Sequence, residues 1–244
     1  MTTTDRPDST ERPGHHWREP ERVQEYVTRM DANAGEREQQ FALLARLLPY
    51  PAEDPIAVLD LGAGYGAVAA AVLSVYPNAS ATLLDISEAM MSVGAERMAP
   101  FAGRYRYLHG DFADGTLPEA LRGPFHAIVS ARAIHHLPAD ATRSLYAACA
   151  ARLLPGGCLF NLDMVAAADE DAATVYRRAE TRARQQRGAA PAATAAQSGH
   201  RHERFHPLGD HLAWLRQAGL VAVDCYAKWL GNALIGGFRP PLRG

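Results

Sequence analysis

Apolar positions along the chain fall into two alternating textures. From Glu19 to about Leu48 they recur at helical spacing, first Val23, Tyr26, Val27 and Met30, then Phe41, Leu43, Leu44, Leu47 and Leu48. A break between Asp31 and Gly35 divides them, so two helices are predicted ahead of the first strand. Five short apolar runs follow, at 56–61, 81–84, 105–108, 127–130 and 158–162. Each suits a strand buried on both faces. Between them, the stretches 67–76, 88–99 and 139–153 read as amphipathic helices whose ends are marked by Pro77-Asn78 and Pro155-Gly156-Gly157. This alternation predicts a doubly wound, mostly parallel α/β sheet.

After the fifth run the texture changes. Residues 168–187 read as a charged, solvated helix, and 188–199 (GAAPAATAAQSG) as a mobile loop of small residues. The segment 165–208 is therefore expected to be an insertion on the substrate side. A helical pattern at 209–217 ends at Ala218-Gly219. Residues 220–230 and 233–238 then read as an antiparallel hairpin at the sheet edge, turning at Gly231-Asn232. Residues 1–14 lack periodicity and are expected to be disordered. The predicted organisation is thus a polar start, a helical unit over 15–50 and a main domain over 51–244.

Composition narrows the partners. With 48% hydrophobic content, 244 residues can bury a substantial core. Lys+Arg of 25 against Asp+Glu of 27 leaves a formal charge of -2, which gives no general attraction to nucleic acid or to an anionic membrane. Cys149, Cys158 and Cys225 lack CxxC spacing and read as buried thiols of a reducing compartment. No apolar run approaches the roughly 18 residues of a spanning helix, and a cytoplasmic location is expected. No sustained heptad points to an oligomeric state.

The residues with chemical potential begin at Val58-Leu59-Asp60-Leu61-Gly62-Ala63-Gly64-Tyr65-Gly66-Ala67, a strand turning through glycines into a helix. Such a turn lets a ligand lie against bare backbone, with helix N–H groups pointing at it. Read as GxGxxA, it also passes for a dinucleotide fingerprint. Each early strand carries or ends near an acid: Asp60, Asp85 and Asp111. A carboxylate at the tip of the second strand can accept two ribose hydroxyls, and one beyond the third can accept an adenine amino hydrogen. The set outlines an adenosine-shaped crevice at the carboxyl edge of the sheet.

In VLDLGAGYG, the LLDIS after the second strand, GDF after the third, IVSARAIHHL around the fourth, LLPGG before the fifth and the late WLRQAGLVAVDCY, the chain resembles the class I S-adenosylmethionine-dependent methyltransferase family, small-molecule type. The resemblance implies a Rossmann-like seven-stranded sheet whose last strand is antiparallel. It implies S-adenosyl-L-methionine as cofactor, with S-adenosyl-L-homocysteine as product. Carried over by position, it places Gly62, Ala63 and Gly64 beside the methionine part, Asp85 with Ile86 at the ribose, and Asp111 with Phe112 at the adenine. Asp60 would organise the loop, and Ser130 and Ala131 would lie beneath the sulfonium, with Ile134 to His136 nearby.

His135 or His136 is a candidate catalytic base, since a neutral imidazole there could take a proton from a nucleophile aligned with the methyl group. The bland alternative is that one packs against the cofactor and the other caps a turn. His200, His202, His206 and His211 collect imidazoles without a metal-site spacing, and no metal is expected. His206 and Asp163 are candidates for substrate contact. Tyr26 or Arg29 of the front helices could meet the cofactor's carboxylate as part of a lid. The function expected is methyl transfer to oxygen, nitrogen or carbon of a small-molecule acceptor by in-line displacement. Two rivals share the crevice: an NAD(P)-dependent oxidoreductase using GxGxxA, and a non-catalytic S-adenosylmethionine-binding module. The first lacks a Tyr-and-Lys pair near the site, because the one lysine is Lys228 in the terminal hairpin.

Overall fold

The computed structural model describes residues 17, 19–32, 34–186 and 205–241. The expectations for residues 1–16, for the 188–199 loop, and for His200 and His202 lie outside that range. Helices α1 (Pro20–Asp31) and α2 (Ala34–Arg46) come first, separated where the apolar spacing broke. The alternation then runs β1 (Ala57–Leu61), α3 (Ala67–Val75), β2 (Ser80–Asp85), α4 (Glu88–Arg97), β3 (Tyr105–His109), β4 (Phe125–Ala131), α5 (Ala139–Arg152) and β5 (Leu153–Met164). It ends with α6 (Glu170–Gln186), α7 (Leu208–Gln217), β6 (Val221–Trp229) and β7 (Asn232–Phe238).

The seven strands form one sheet in the order β3-β2-β1-β4-β5-β7-β6. Pairings from β3 through β5 are parallel, whereas β7 runs antiparallel to both β5 and β6. The terminal hairpin thus joins the sheet through its second strand. Strand residues alternate between two cores, as a period of two requires. Val58, Leu83, Val129 and Phe160 face the layer of α2 and α3, while Leu59, Leu84, Ile128 and Leu159 face that of α5 and α7.

One boundary differs from expectation. The sequence reads Pro155-Gly156-Gly157 as a turn ending a helix, but these residues lie inside β5. Phe125 pairs with Leu153 and Ala127 with Cys158, so the extra residues form a bulge. Gly157 permits it, because a Cβ there would meet the His126 and Leu154 carbonyl oxygens at 2.8 Å. Hydrogen bonds from the Gly156 amide to the Arg239 carbonyl and from the Arg239 amide to the Gly157 carbonyl then continue the ladder beyond β7. Near the expected insertion, Val165 and Ala166 bond to the carbonyls of Gly231 and His206, bringing its two ends together. Helix α6 is tied back by Lys228, whose ammonium donates to the Tyr176 hydroxyl.

Phe160 is fully buried, with its ring edge-on to Tyr226 and Phe238. Phe160→Ala is expected to lower stability by about 3–5 kcal/mol, the range for an aromatic-to-alanine cavity. Urea denaturation followed by circular dichroism checks this.

Candidate active site

All parallel strands present their carboxyl ends to one edge, where a crevice opens beside β1. A cleft of about 850 Å³, open to solvent, lies there. Its floor is the glycine turn after β1, and its sides are Asp85 and Ile86 after β2, Asp111 and Phe112 after β3, and Ala131 to Ala133 after β4. Trp17, Tyr26, Arg37 and Phe41 from the front segment close over it.

Two glycines in the turn are needed for different reasons. Gly62 has φ +63°, and a Cβ on it would come within 2.2 Å of the Ala133 Cβ. Its bareness lets the turn pack against the segment after β4. Gly64 has φ +55°, and a Cβ there would meet only Met90 Sδ, at 3.9 Å. Its bareness keeps the cleft open. Its amide donates to Asp85 Oδ2 at 2.6 Å, and its carbonyl accepts from the Tyr107 hydroxyl at 3.0 Å.

The acids occupy three distinct environments. Asp85 lines the cleft with its carboxyl pKa raised by burial, an effect opposed by the Ser87, Gly64 and Ile86 amides. Asp111 Oδ1 accepts from the Ala113 amide at 2.8 Å and keeps the loop after β3 in shape. Asp60 is not in the cleft. It is 0% exposed behind the turn, where Oδ2 accepts the Ala69 amide at 3.0 Å. That contact fixes the start of α3, while Oδ1 has no partner among the described residues. Burial pushes the Asp60 pKa up to about 8, against the Ala69 hydrogen bond, with the Asp85 charge adding to the rise.

The adjacent histidines diverge, because a one-turn 3-10 helix over Ile134–His136 sends successive side chains to different sides. His136 lines the cleft, and its Nε2 accepts a long hydrogen bond of 3.4 Å from the Trp17 indole. His135 turns inward, 5% exposed, with Nδ1 at 2.5 Å from Asp163 Oδ1. Asp163 also accepts the Ile134, His135 and Met164 amides. Burial alone would raise the Asp163 pKa, but the charge and hydrogen bond of His135 and the Met164 amide hold it down at about 2.

Several other expected site residues lie away from the cleft. Ser130 is fully buried and donates to the Leu61 carbonyl at 2.8 Å, joining the ends of β4 and β1. The Arg29 guanidinium lies over the Tyr26 ring, 5.6 Å from its centroid, and does not line the cleft. His206 Nε2 is 3.0 Å from the Leu137 carbonyl, and the ring packs against His211 and Trp214. His211 is buried against the Tyr146 hydroxyl, and burial lowers its pKa to about 4. Among the described residues, no group of three or more His, Cys, Asp or Glu could hold a metal ion.

Sequence reasoning missed Arg37, Phe41, Tyr65, Met90 and Arg132, all of which line the cleft. Only Tyr65 and Arg132 lay inside motifs already singled out, in GAGYG and SARAIHHL.

Residues 58–157 match the family model of a methyltransferase domain. A release factor glutamine methyltransferase of Deinococcus radiodurans is 34% identical over 125 residues, covering 42% of this chain and 43% of that protein. Among solved structures, an O-methyltransferase family protein from Burkholderia thailandensis superposes with TM-score 0.66 at 20% identity, over 91% of this chain and 60% of the other. An O-methyltransferase family 2 protein from Planctomyces limnophilus, in complex with apigenin, gives TM-score 0.63 at 20% identity, over 89% and 61%. The chain thus spans less than two thirds of the length of each.

Asp60 yields a test with a definite sign. Its folded pKa lies above the unfolded value, so its contribution is fully present below about pH 4 and is lost as pH rises through about 8. Asp60→Asn keeps an acceptor for the Ala69 amide and never ionises. Its stability relative to the parent should therefore rise steadily between those limits. Denaturant midpoints measured at several pH values read the gap directly, and a gap that does not change with pH contradicts the assignment.

Proposed function

We propose, on the premise that residues 58–157 of this class I methyltransferase fold are a methyltransferase domain, that the protein transfers a methyl group from S-adenosylmethionine to a small-molecule oxygen, nitrogen or carbon. The observation that carries this reading is the convergence of the glycine turn, Asp85, Phe112 and His136 on one cleft. Trp17 and Tyr26 of the front segment line the same cleft, which suits a nucleoside donor and a small acceptor better than a folded partner.

The residues present suit this cofactor. Asp85 faces the cleft from the tip of β2, where it can accept ribose hydroxyls. Phe112 and Ile86 supply apolar walls for an adenine, with Asp111 beside them, and the open side of Gly64 leaves room for the methionine part. The turn holds no lysine or arginine, which suits a donor without phosphate. When bound, the sulfonium supplies an already activated methyl group. What remains for the chain is alignment, exclusion of water and, for an acceptor that must lose a proton, a base.

His136 is the better of the two candidates for that base, since it faces the cleft whereas His135 is committed to Asp163. Its Nε2 holds the Trp17 N–H at 3.4 Å, so an acceptor hydroxyl would displace the indole to donate there. Asp163 and His135 serve as positioning residues for the turn that carries His136. Asp163 and His206, expected as substrate contacts, instead hold that turn and Leu137 and do not line the cleft.

Calorimetry with S-adenosylmethionine, S-adenosylhomocysteine and NAD, followed by turnover on a panel of acceptors, tests the reading. Tight binding of NAD alone would overturn it. Asp85→Ala should weaken S-adenosylhomocysteine binding by about 1–3 kcal/mol, the range for leaving polar partners unpaired, with the circular dichroism spectrum unchanged.

His136→Ala should keep cofactor affinity while turnover falls by roughly 10²- to 10⁴-fold. Wild-type turnover in this variant would reduce His136 to a packing residue.

A further inference from the structure

The two residues ahead of α7, Phe205 and His206, close on the turn that carries His136. The Phe205 ring stands edge-on to His135, with 5.7 Å between centroids. Next to it, His206 Nε2 lies 3.0 Å from the Leu137 carbonyl. A carbonyl oxygen only accepts, so Nε2 carries the proton and donates it to that bond. The Thr142 hydroxyl is 3.5 Å from the same oxygen and closer, at 3.1 Å, to the Pro138 carbonyl, so His206 is the short partner of Leu137. Leu137 is buried, lines the cleft directly after His136 and ends the turn, its amide donating to the Ile134 carbonyl at 3.0 Å.

His206 is itself held by its backbone and by its ring. Its carbonyl accepts the Ala166 amide at 3.0 Å, which fastens it to the chain leaving β5. The ring packs edge-on against His211 and Trp214, with centroids 5.8 and 5.2 Å away. His211 is anchored deeper still. The Asn161 side-chain amide of β5 donates to the Tyr146 hydroxyl of α5 at 3.2 Å, which leaves the hydroxyl proton for His211 Nδ1, 2.9 Å away. His206 thus stands on a chain of buried polar side chains that runs through the layer of α5 and α7 to the sheet.

Asp163 grips the turn at the Ile134 and His135 amides, and His206 grips it at the carbonyl that follows His136. A side chain between two such grips has little freedom to shift along the cleft. A shift of about 1 Å in a reacting group costs on the order of 10²-fold in rate, so the second grip has a kinetic consequence. We propose that His206 is a positioning residue for His136 and the acceptor end of the cleft, acting through its hydrogen bond to the Leu137 carbonyl. Its effect on turnover rests on the methyl-transfer reading, whereas its effect on the turn does not.

Two variants of the full chain separate the hydrogen bond from the packing. His206→Gln keeps a side-chain N–H at a reach similar to Nε2 and loses the ring, whereas His206→Phe keeps the ring and loses the donor. On an acceptor found in the panel, His206→Phe is expected to lower kcat roughly ten- to hundredfold while S-adenosylhomocysteine affinity stays unchanged. His206→Gln should recover most of that loss. Hydrogen exchange of the backbone over residues 132–138, followed by mass spectrometry, should be faster in His206→Phe and close to the parent in His206→Gln. The proposal is overturned if His206→Phe keeps the parental kcat, if exchange is the same in all three proteins, or if His206→Gln loses as much as His206→Phe in either measurement. A fall in S-adenosylhomocysteine affinity that matches the fall in kcat overturns it too, since the cleft as a whole has then changed. Should His206→Phe fail to fold, His206→Met takes its place, and failure of both reduces the side chain to a structural one. If the parent binds no S-adenosylhomocysteine, the methyl-transfer reading fails by itself. There, and for a parent that methylates nothing on the panel, exchange decides alone: acceleration in His206→Phe that is absent from His206→Gln supports the grip on the turn, and any other pattern overturns it.

Discussion

The cleft depends on one buried carboxylate. Asp163, 1% exposed at the end of β5, receives three backbone amides and the His135 ring. Without those donors a charge at that depth would be strongly disfavoured, and with them it becomes the post to which the segment after β4 is tied. The turn over Ile134–His136 buries Ile134 in the core and His135 against Asp163. Its orientation is set from β5, one strand away from the strand it follows. That dependence explains why two adjacent histidines have unlike surroundings, one fixed by Asp163 and one presented to solvent-sized space.

The opposite side of the cleft is fixed by close packing. Gly62 approaches Ala133 so closely that no side chain fits between the turn after β1 and the segment after β4. Ser130 joins the ends of the same two strands through the Leu61 carbonyl. Hydrogen bonds from β5 and steric contact from β1 therefore act on one short segment from two directions. A preorganised site on the carboxyl edge of a sheet needs this kind of double constraint, because loops alone place groups less exactingly than strands do.

Much of the fold was legible because each strand up to β5 is a short apolar run closed by glycine, proline or a polar cluster. The same logic misread Pro155-Gly156-Gly157, since a bulge inside a strand and a turn at its end use the same residues. In the site, Asp85, Phe112 and the glycine turn were legible because strand ends point one way in a parallel sheet. Depth was not: Asp60 and Ser130 occupy strand positions whose direction depends on the neighbouring layer, and both turned out fully buried. Arg37 was hidden for another reason. On a helix carrying Glu36, Glu38 and Arg46, one more charge reads as a solvated face, and only the placement of α2 over the cleft sets it apart.

The position of β7 bears on how the chain acquires its shape during synthesis. β5 pairs with β7 on its outer side, although β6 is the earlier of the two in the sequence. From Met164 to Asn232 the growing chain therefore leaves one flank of an almost wholly buried strand without its ladder partner. At ordinary ribosomal rates that interval lasts on the order of several seconds. Throughout it, Phe160 and its neighbours present an apolar edge of the kind to which stray strands add. Vectorial growth thus makes the hairpin, remote from the cleft, the step that seals the sheet.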